Sequence, residues 1–214
     1  MSILSSSKQA DSGGGRVKRG KPPLVPHPIR PSNYRKCLPE LKRDFQERCA
    51  YCMRSLKNTG DREIEIDHFN PQQKKDRIQN YQNLFLADRS CNGKKDDNWP
   101  SKEDTRKGLR FLNCCEEQDY GVHIFEDTVT HELIGVTPAA VYHIETIDLN
   151  APHLVGERQR RAEIRKLLKK KKGWLKVENF DCAYQSWVML EKFADDMIPP
   201  IPTPPARTAV ENVE

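Results

Sequence analysis

The chain has 214 residues, with 36 Lys and Arg against 31 Asp and Glu, a net charge of +5, and 36% hydrophobic against 31% charged residues. That length suits one compact domain, or a small catalytic core with an added helical part, and so polar a composition leaves a core that is small relative to the surface. No apolar run is long enough to cross a bilayer, and residues 1–20 have no apolar centre of the kind a secretory signal needs, so a cytoplasmic protein without membrane contact is expected. The positive charge leans towards a polyanionic partner, because phosphate neutralisation drives nucleic-acid binding, although a merely soluble basic protein would have the same total.

Residues 1–31 are expected to be disordered or extended: Ser, Gly, Lys and Arg first, then prolines at 22, 23, 26, 28 and 31. From Ser32 a helical pattern places Leu38, Leu41 and Phe45 on one face and Lys42, Arg43 and Glu47 on another. Pro39 falls early in this helix or opens its second half. A knuckle at Cys49-Ala-Tyr-Cys52 follows, then a turn at Asn58–Asp61 and a strand at Glu63–Ile66 with period-two alternation. After a charged loop at 70–80 come a strand Leu84–Leu86 and a helix from near Cys91, which Ser90 is placed to cap. Residues 32–107 thus form a core in the order strand, strand, helix, and 108–197 an extension. The extension is expected to hold hairpin arms at Val122–Phe125 and Leu133–Val136, a stretch Ala139–Ile144 leading to Leu149-Asn150, and a long helix over Leu154–Lys172. A last helix over Val177–Met197 and a disordered Pro-rich tail, 198–214, complete an α+β chain.

The chemistry-bearing residues cluster between 49 and 95. Cleaving a phosphodiester needs an activated water and stabilisation of charge on the phosphoryl group and the leaving oxygen. His68 can serve as the base and the adjacent carboxylate of Asp67 can hold a divalent ion, the two reaching different sides of a strand end. Asn92, at the start of a helix, can complete the ion's shell without adding negative charge, and a set of Asp, Asn and waters suits Mg²⁺ or Mn²⁺. Asn83 can hydrogen-bond across the loop and orient His68, or simply form a turn.

Seven cysteines, an odd number in a chain read as cytoplasmic, are better ligands than disulfide halves. Cys49, Cys52 and Cys91 read as three ligands of a structural Zn²⁺. A redox use of Cys49-x-x-Cys52 finds no βαβ pattern to support it. The fourth position is open: Asp88 stands where a second Cys-x-x-Cys would need a cysteine, Cys37, Cys114 or Cys115 are alternatives, and a thiol-lined core without metal is another.

The order Cys49/Cys52, Asp67-His68, Asn83, Cys91-Asn92 and Lys95 resembles the HNH family of ββα-metal endonucleases over about residues 45–100. The resemblance implies a ββα-metal nuclease core braced by a zinc knuckle, with His68 as general base, Mg²⁺ on Asp67 and Asn92, and Asn83 as the residue that positions the loop. The flanks Cys-Ala-Tyr-Cys, Asp-His-Phe-x-Pro and Tyr-x-Asn-Leu, with Ile144–Asn150, Leu154 and Arg158, resemble the PtuB-type HNH proteins, the nuclease subunit of Septu and some retron anti-phage systems. That likeness implies an ATPase partner of the PtuA type and a nucleic-acid substrate, DNA favoured over RNA.

The stretch 157–172 holds Arg158, Arg160, Arg161, Arg165, Lys166 and Lys169–Lys172 against Glu157 and Glu163. A solvated face is the plain interpretation; contact of Arg158, Arg161, Arg165 and Lys169 with a phosphate backbone or an acidic partner is the functional one. Lys94 and Lys95 are expected near the scissile phosphate. The rivals to a partnered nuclease are a non-catalytic zinc-knuckle adaptor, to which a hard-metal pocket would be useless, and a stand-alone restriction-type endonuclease.

Overall fold

A computed structural model describes residues 28–57 and 60–176. The helix expected over 177–197, both termini and Trp187 lie outside them, as does the side chain of Trp174. Helix α1, Leu38–Asp44, follows a short 3-10 turn at Tyr34–Cys37, and Pro39 sits in its first turn, where a missing N–H costs nothing. The single helix expected from Ser32 to the knuckle therefore stops short: Gln46 and Glu47 both take positive φ (53° each), which turns the chain out of the helix just before Cys49.

Strands β1 (Ile64–His68) and β2 (Leu84–Asp88) pair antiparallel, with Ile64 opposite Asp88 and His68 opposite Leu84. The run Leu-Phe-Leu-Ala of β2 is buried throughout, because α1 packs on it and the knuckle closes its free edge through Ala50 N–H donating to the Leu86 carbonyl (2.8 Å). Helix α2, Arg89–Lys95, follows directly and packs on β1 and β2. Its cap is Asp88, whose carboxylate accepts from Ser90 N–H, not Ser90 as the sequence suggested.

A short α3 (Lys102–Arg106) with a Ser101–Asp104 capping box leads to the hairpin β3 (Ile124–Glu126) and β4 (Leu133–Gly135), then α4 (Pro138–Ile147) and α5 (Pro152–Lys176). A Cβ on Gly135 would stand 2.7 Å from the Val141 amide nitrogen, so glycine is what lets β4 lie against α4. One buried apolar cluster runs from Ile29 to Leu154, through both the core and the extension. Aromatic contacts carry it across: Phe85 stacks on Phe69 (4.7 Å), Phe69 meets Trp99 edge-on (5.7 Å), and Phe111 bridges Trp99 to Tyr142. The motif 144–158 serves this docking. Asn150 pairs with both backbone groups of Leu133, and Arg158 donates to the carbonyls of His131 (2.6 Å) and Leu149 (3.0 Å) and to the Asn150 side-chain oxygen.

His143, fully buried on α4, accepts from Leu112 N–H at Nδ1 (3.1 Å), and burial lowers its pKa to about 3 from the usual 6.5. The unfolded chain therefore binds a proton that the folded one refuses, and stability is lost as pH falls from about 6.5 towards 3, by on the order of 4 kcal/mol. Asp119 acts oppositely: burial raises its carboxyl to about 6, so its contribution fades as pH rises through that value. Comparing melting temperatures of wild type and His143→Gln between pH 7 and 4 isolates the histidine, and the acid-side fall should be shallower in the variant. Parallel curves would show that His143 does not couple to folding.

Candidate functional site

The Cys49–Cys52 knuckle is a tight loop: Met53 N–H donates to the Cys49 carbonyl and Cys49 N–H to that of Arg54, while Met53 takes a φ of 59°. It faces the first turn of α2, and the sulfurs of Cys49, Cys52 and Cys91 lie within 4.8 Å of one another, all buried. Burial opposes ionisation of Cys49, but hydrogen bonds from the Cys52 and Cys91 thiols and from the Asp88 and Cys52 amides outweigh it and hold this thiol well below its ordinary value. The same sharing, together with burial, keeps the protons on Cys52 and Cys91.

Convergent soft donors, with N–H groups aimed at the sulfurs, fit Zn²⁺, which these three thiolates would hold and which would tie the knuckle to α2. Among the described residues neither Asp88 nor Cys37, Cys114 or Cys115 joins the cluster. Asp88 is committed elsewhere, to Ser90 N–H and to Arg54 (3.0 Å), and its backbone N–H serves the Cys49 sulfur.

Asp67 and His68 occupy adjacent positions of β1 and so leave opposite faces of the strand. Both oxygens of Asp67 are taken up inside the protein: the Tyr51 hydroxyl donates to Oδ2, and Lys95 Nζ lies 3.0 Å from Oδ2 and 3.2 Å from Oδ1. Lys95 is 0% exposed, with its ammonium also on the His68 carbonyl (3.2 Å) and over the Phe111 ring (5.5 Å to the centroid). It is therefore an interior clamp, and the expected role at a scissile phosphate is corrected. One turn earlier on α2, Asn92 directs its amide nitrogen to Glu65 Oε2 (2.6 Å). Asp67 and Asn92 are thus each engaged by protein partners of their own, and in this arrangement they do not present a shared ligand set to the Mg²⁺ or Mn²⁺ expected between them.

On the other face, His68 Nε2 lies 3.0 Å from Gln79 Oε1, and the Tyr34 ring meets the imidazole edge-on (4.9 Å). Gln79 donates its own amide N–H to the Lys74 carbonyl, which fixes the oxygen towards His68. Nε2 then carries the proton and Nδ1 is the basic nitrogen. Asn83 brackets Asn70: it accepts from Asn70 N–H (2.7 Å), donates to the Asn70 carbonyl (3.0 Å), and its own carbonyl takes Phe69 N–H. The loop after His68 is therefore pinned on both sides. Tyr34, Tyr51, Glu65 and Gln79 escape a sequence reading; only Tyr51, inside the knuckle motif, carried a positional signal.

Of the basic residues, Arg158 and Arg161 are buried, the first spent on backbone carbonyls, so neither is a nucleic-acid contact. Lys94 is exposed and pairs with Asp148 (3.0 Å); Arg165 is half-buried and Lys169 exposed. No helix among the described residues is long and apolar enough to cross a membrane.

Residues 49–98 match the family model of the HNH endonuclease. No curated protein and no solved structure matches the chain. The chain thus carries an HNH endonuclease domain from the first cysteine of the knuckle to just beyond α2; such a domain points to a nuclease acting on nucleic acid, HNH nucleases use divalent metals, and the cysteine cluster is a site that zinc would suit.

Metal uptake must displace the protons on Cys52 and Cys91, so about two protons should be released per zinc and affinity should fall as pH falls. Zinc at about 100 times its Kd contributes about 2.7 kcal/mol, so a chelator should lower the melting temperature by roughly 5–10 °C and Cys49→Ser should match that loss; an unmoved melting temperature speaks against the site. For the basic helix, Arg165→Ala with Lys169→Ala should flatten the slope of log affinity against log salt by about 0.9 per lost phosphate contact, whereas Arg158→Lys should lower thermal stability and leave that slope unchanged.

Proposed function

We propose that this protein is a nuclease that hydrolyses phosphodiester bonds of nucleic acid with His68 as general base. The observation that carries it is the imidazole held in one tautomer by Gln79, at the end of β1 and inside the HNH match. Nδ1 would take a proton from water as the water oxygen bonds to phosphorus; the bond to the leaving oxygen breaks, and the proton is returned to that oxygen. Gln79 and Tyr34 would orient the ring, and the Asn83 bracket on Asn70 would keep the following loop from shifting it. Asp67 and Asn92, each engaged by protein partners of its own, do not present a shared ligand set to the metal ions that HNH nucleases use.

In the same reading the enzyme is the effector of an anti-phage complex with a PtuA-type ATPase, and DNA is its first candidate substrate. The support for the complex is the sequence likeness alone: Cys-Ala-Tyr-Cys, Asp-His-Phe-x-Pro and Tyr-x-Asn-Leu. Co-purification of an ATPase with the tagged chain tests it against the stand-alone endonuclease.

The activity itself is checked with plasmid, linear DNA and tRNA, with and without Mg²⁺ or Mn²⁺, with and without a co-expressed ATPase. His68→Ala should lower cleavage about 10²- to 10⁴-fold with an unchanged melting temperature, and Gln79→Ala should give a smaller loss. Cleavage at the wild-type rate by His68→Ala would sink the assignment; binding without cleavage under every condition would favour the adaptor.

A further inference from the structure

We infer that the three-cysteine centre positions the Asp67–His68 end of β1 through Tyr51 and Lys95, and so sets the geometry of the cleavage site as well as bracing the fold. This rests on the reading of His68 as the base. Asp67 has two partners, and each is held from the centre. Tyr51 lies between Cys49 and Cys52, with its backbone N–H 3.4 Å from the Cys49 sulfur and its hydroxyl on Asp67 Oδ2. Lys95 lies four residues after Cys91 on α2, so both side chains leave the same face of the helix, one to the sulfurs and one to Asp67.

Tyr51 and Lys95 are 1% and 0% exposed and Asp67 is 5% exposed, so water cannot substitute for either contact. From Lys95 the chain of contacts ends on the His68 carbonyl (3.2 Å). Movement of the knuckle relative to α2 therefore changes the spacing of the two donors of Asp67, and with it the placement of Asp67 and His68. Asp67 acts in this scheme as the anionic hub of a buried relay, a positioning residue rather than a ligand of the reaction's ion.

The experiment compares Tyr51→Phe with Tyr81→Phe. Both remove one buried hydroxyl, but that of Tyr81 donates to Asp44 Oδ2 (2.9 Å) on α1 and touches neither the knuckle nor Asp67. Each protein is loaded with Co²⁺ at the cysteines, whose visible bands report the thiolate centre. The His68 resonance is followed by NMR of ¹³C-labelled histidine, assigned with His68→Gln, and plasmid cleavage is measured beside it.

Tyr51→Phe should keep the Co²⁺ bands and the circular dichroism, move the His68 resonance and slow cleavage about ten- to a hundredfold, while Tyr81→Phe moves neither. An unmoved His68 resonance in Tyr51→Phe, or the same changes in Tyr81→Phe, overturns the inference. So would a cleavage loss in Tyr51→Phe that extra Mg²⁺ or Mn²⁺ restores, since Asp67 would then be acting on the ion. Should Tyr51→Phe fail to fold, Lys95→Arg, which keeps the charge but changes its reach, carries the same comparison. Absence of cleavage even in the wild type would count against His68 as the base, whereas the resonance still decides the relay.

Discussion

Two five-residue strands and a seven-residue helix are too short to hold one another in place: a lone strand pair and a lone helix of that length are both marginal in water. What fixes them is the convergence of three sulfurs, two from a loop stitched to the edge of β2 and one from the first turn of α2. That single constraint sets the distance between the sheet edge and the helix. It also settles the inward face of α2 in the folded chain: with Cys91 turned to the sulfurs, Lys95 enters the interior one turn later and needs a carboxylate there. Asp67 supplies it. A buried ion pair of this kind adds little net stability, yet losing one partner would leave a buried charge at a cost of about 3–5 kcal/mol, so the pair enforces one register of helix on strand.

The second support comes from beyond the HNH match. Phe111, from the segment after α3, lies under Lys95 and contacts Trp99, Tyr142 and His143, so the extension closes the apolar wall around the buried ion pair. The Tyr120 hydroxyl on the Tyr51 carbonyl acts likewise on the knuckle. The residues after 98 are thus part of the environment that the site needs, and the boundary near 107 marks a change of motif rather than an end of packing.

What the sequence made legible follows from how local each signal is. Alternation in Glu63–Ile66, the apolar run after Leu84, the turn chemistry at 127–130 and the long periodic stretch after Leu154 all located real elements, because each is decided by neighbours a few residues apart. The order of cysteines, Asp-His and Asn likewise marked the segment that the family model matches. The early end of α1 was hidden, since left-handed φ at Gln46 and Glu47 is imposed by the knuckle and not by their own preferences. Helix α4 was not recognised in a stretch with two β-branched residues, although Thr137 caps it and Pro138 opens it. The directions of Lys95, Arg158 and Arg161 could not be read either: a cation on a short amphipathic helix can face water or a buried acceptor, and only the tertiary partner decides.

The basic helix α5 divides in the same way. Counted along the chain it is a block of like charge, but its first turns are spent inside, where Arg158 satisfies three acceptors of the β3–β4 and α4–α5 connections and Arg161 is buried. Only beyond Ile164, where Arg165 is half-buried and Lys166, Lys169 and Lys170 are exposed, does the charge become a field that a phosphate backbone would feel. Electrostatic attraction falls off over about 8–10 Å at physiological salt, so position along the helix matters more than the total. The charge that anchors α5 and the charge exposed farther along it are therefore separate resources on one helix, and the first fixes how the helix is docked on the β3–β4 and α4–α5 connections.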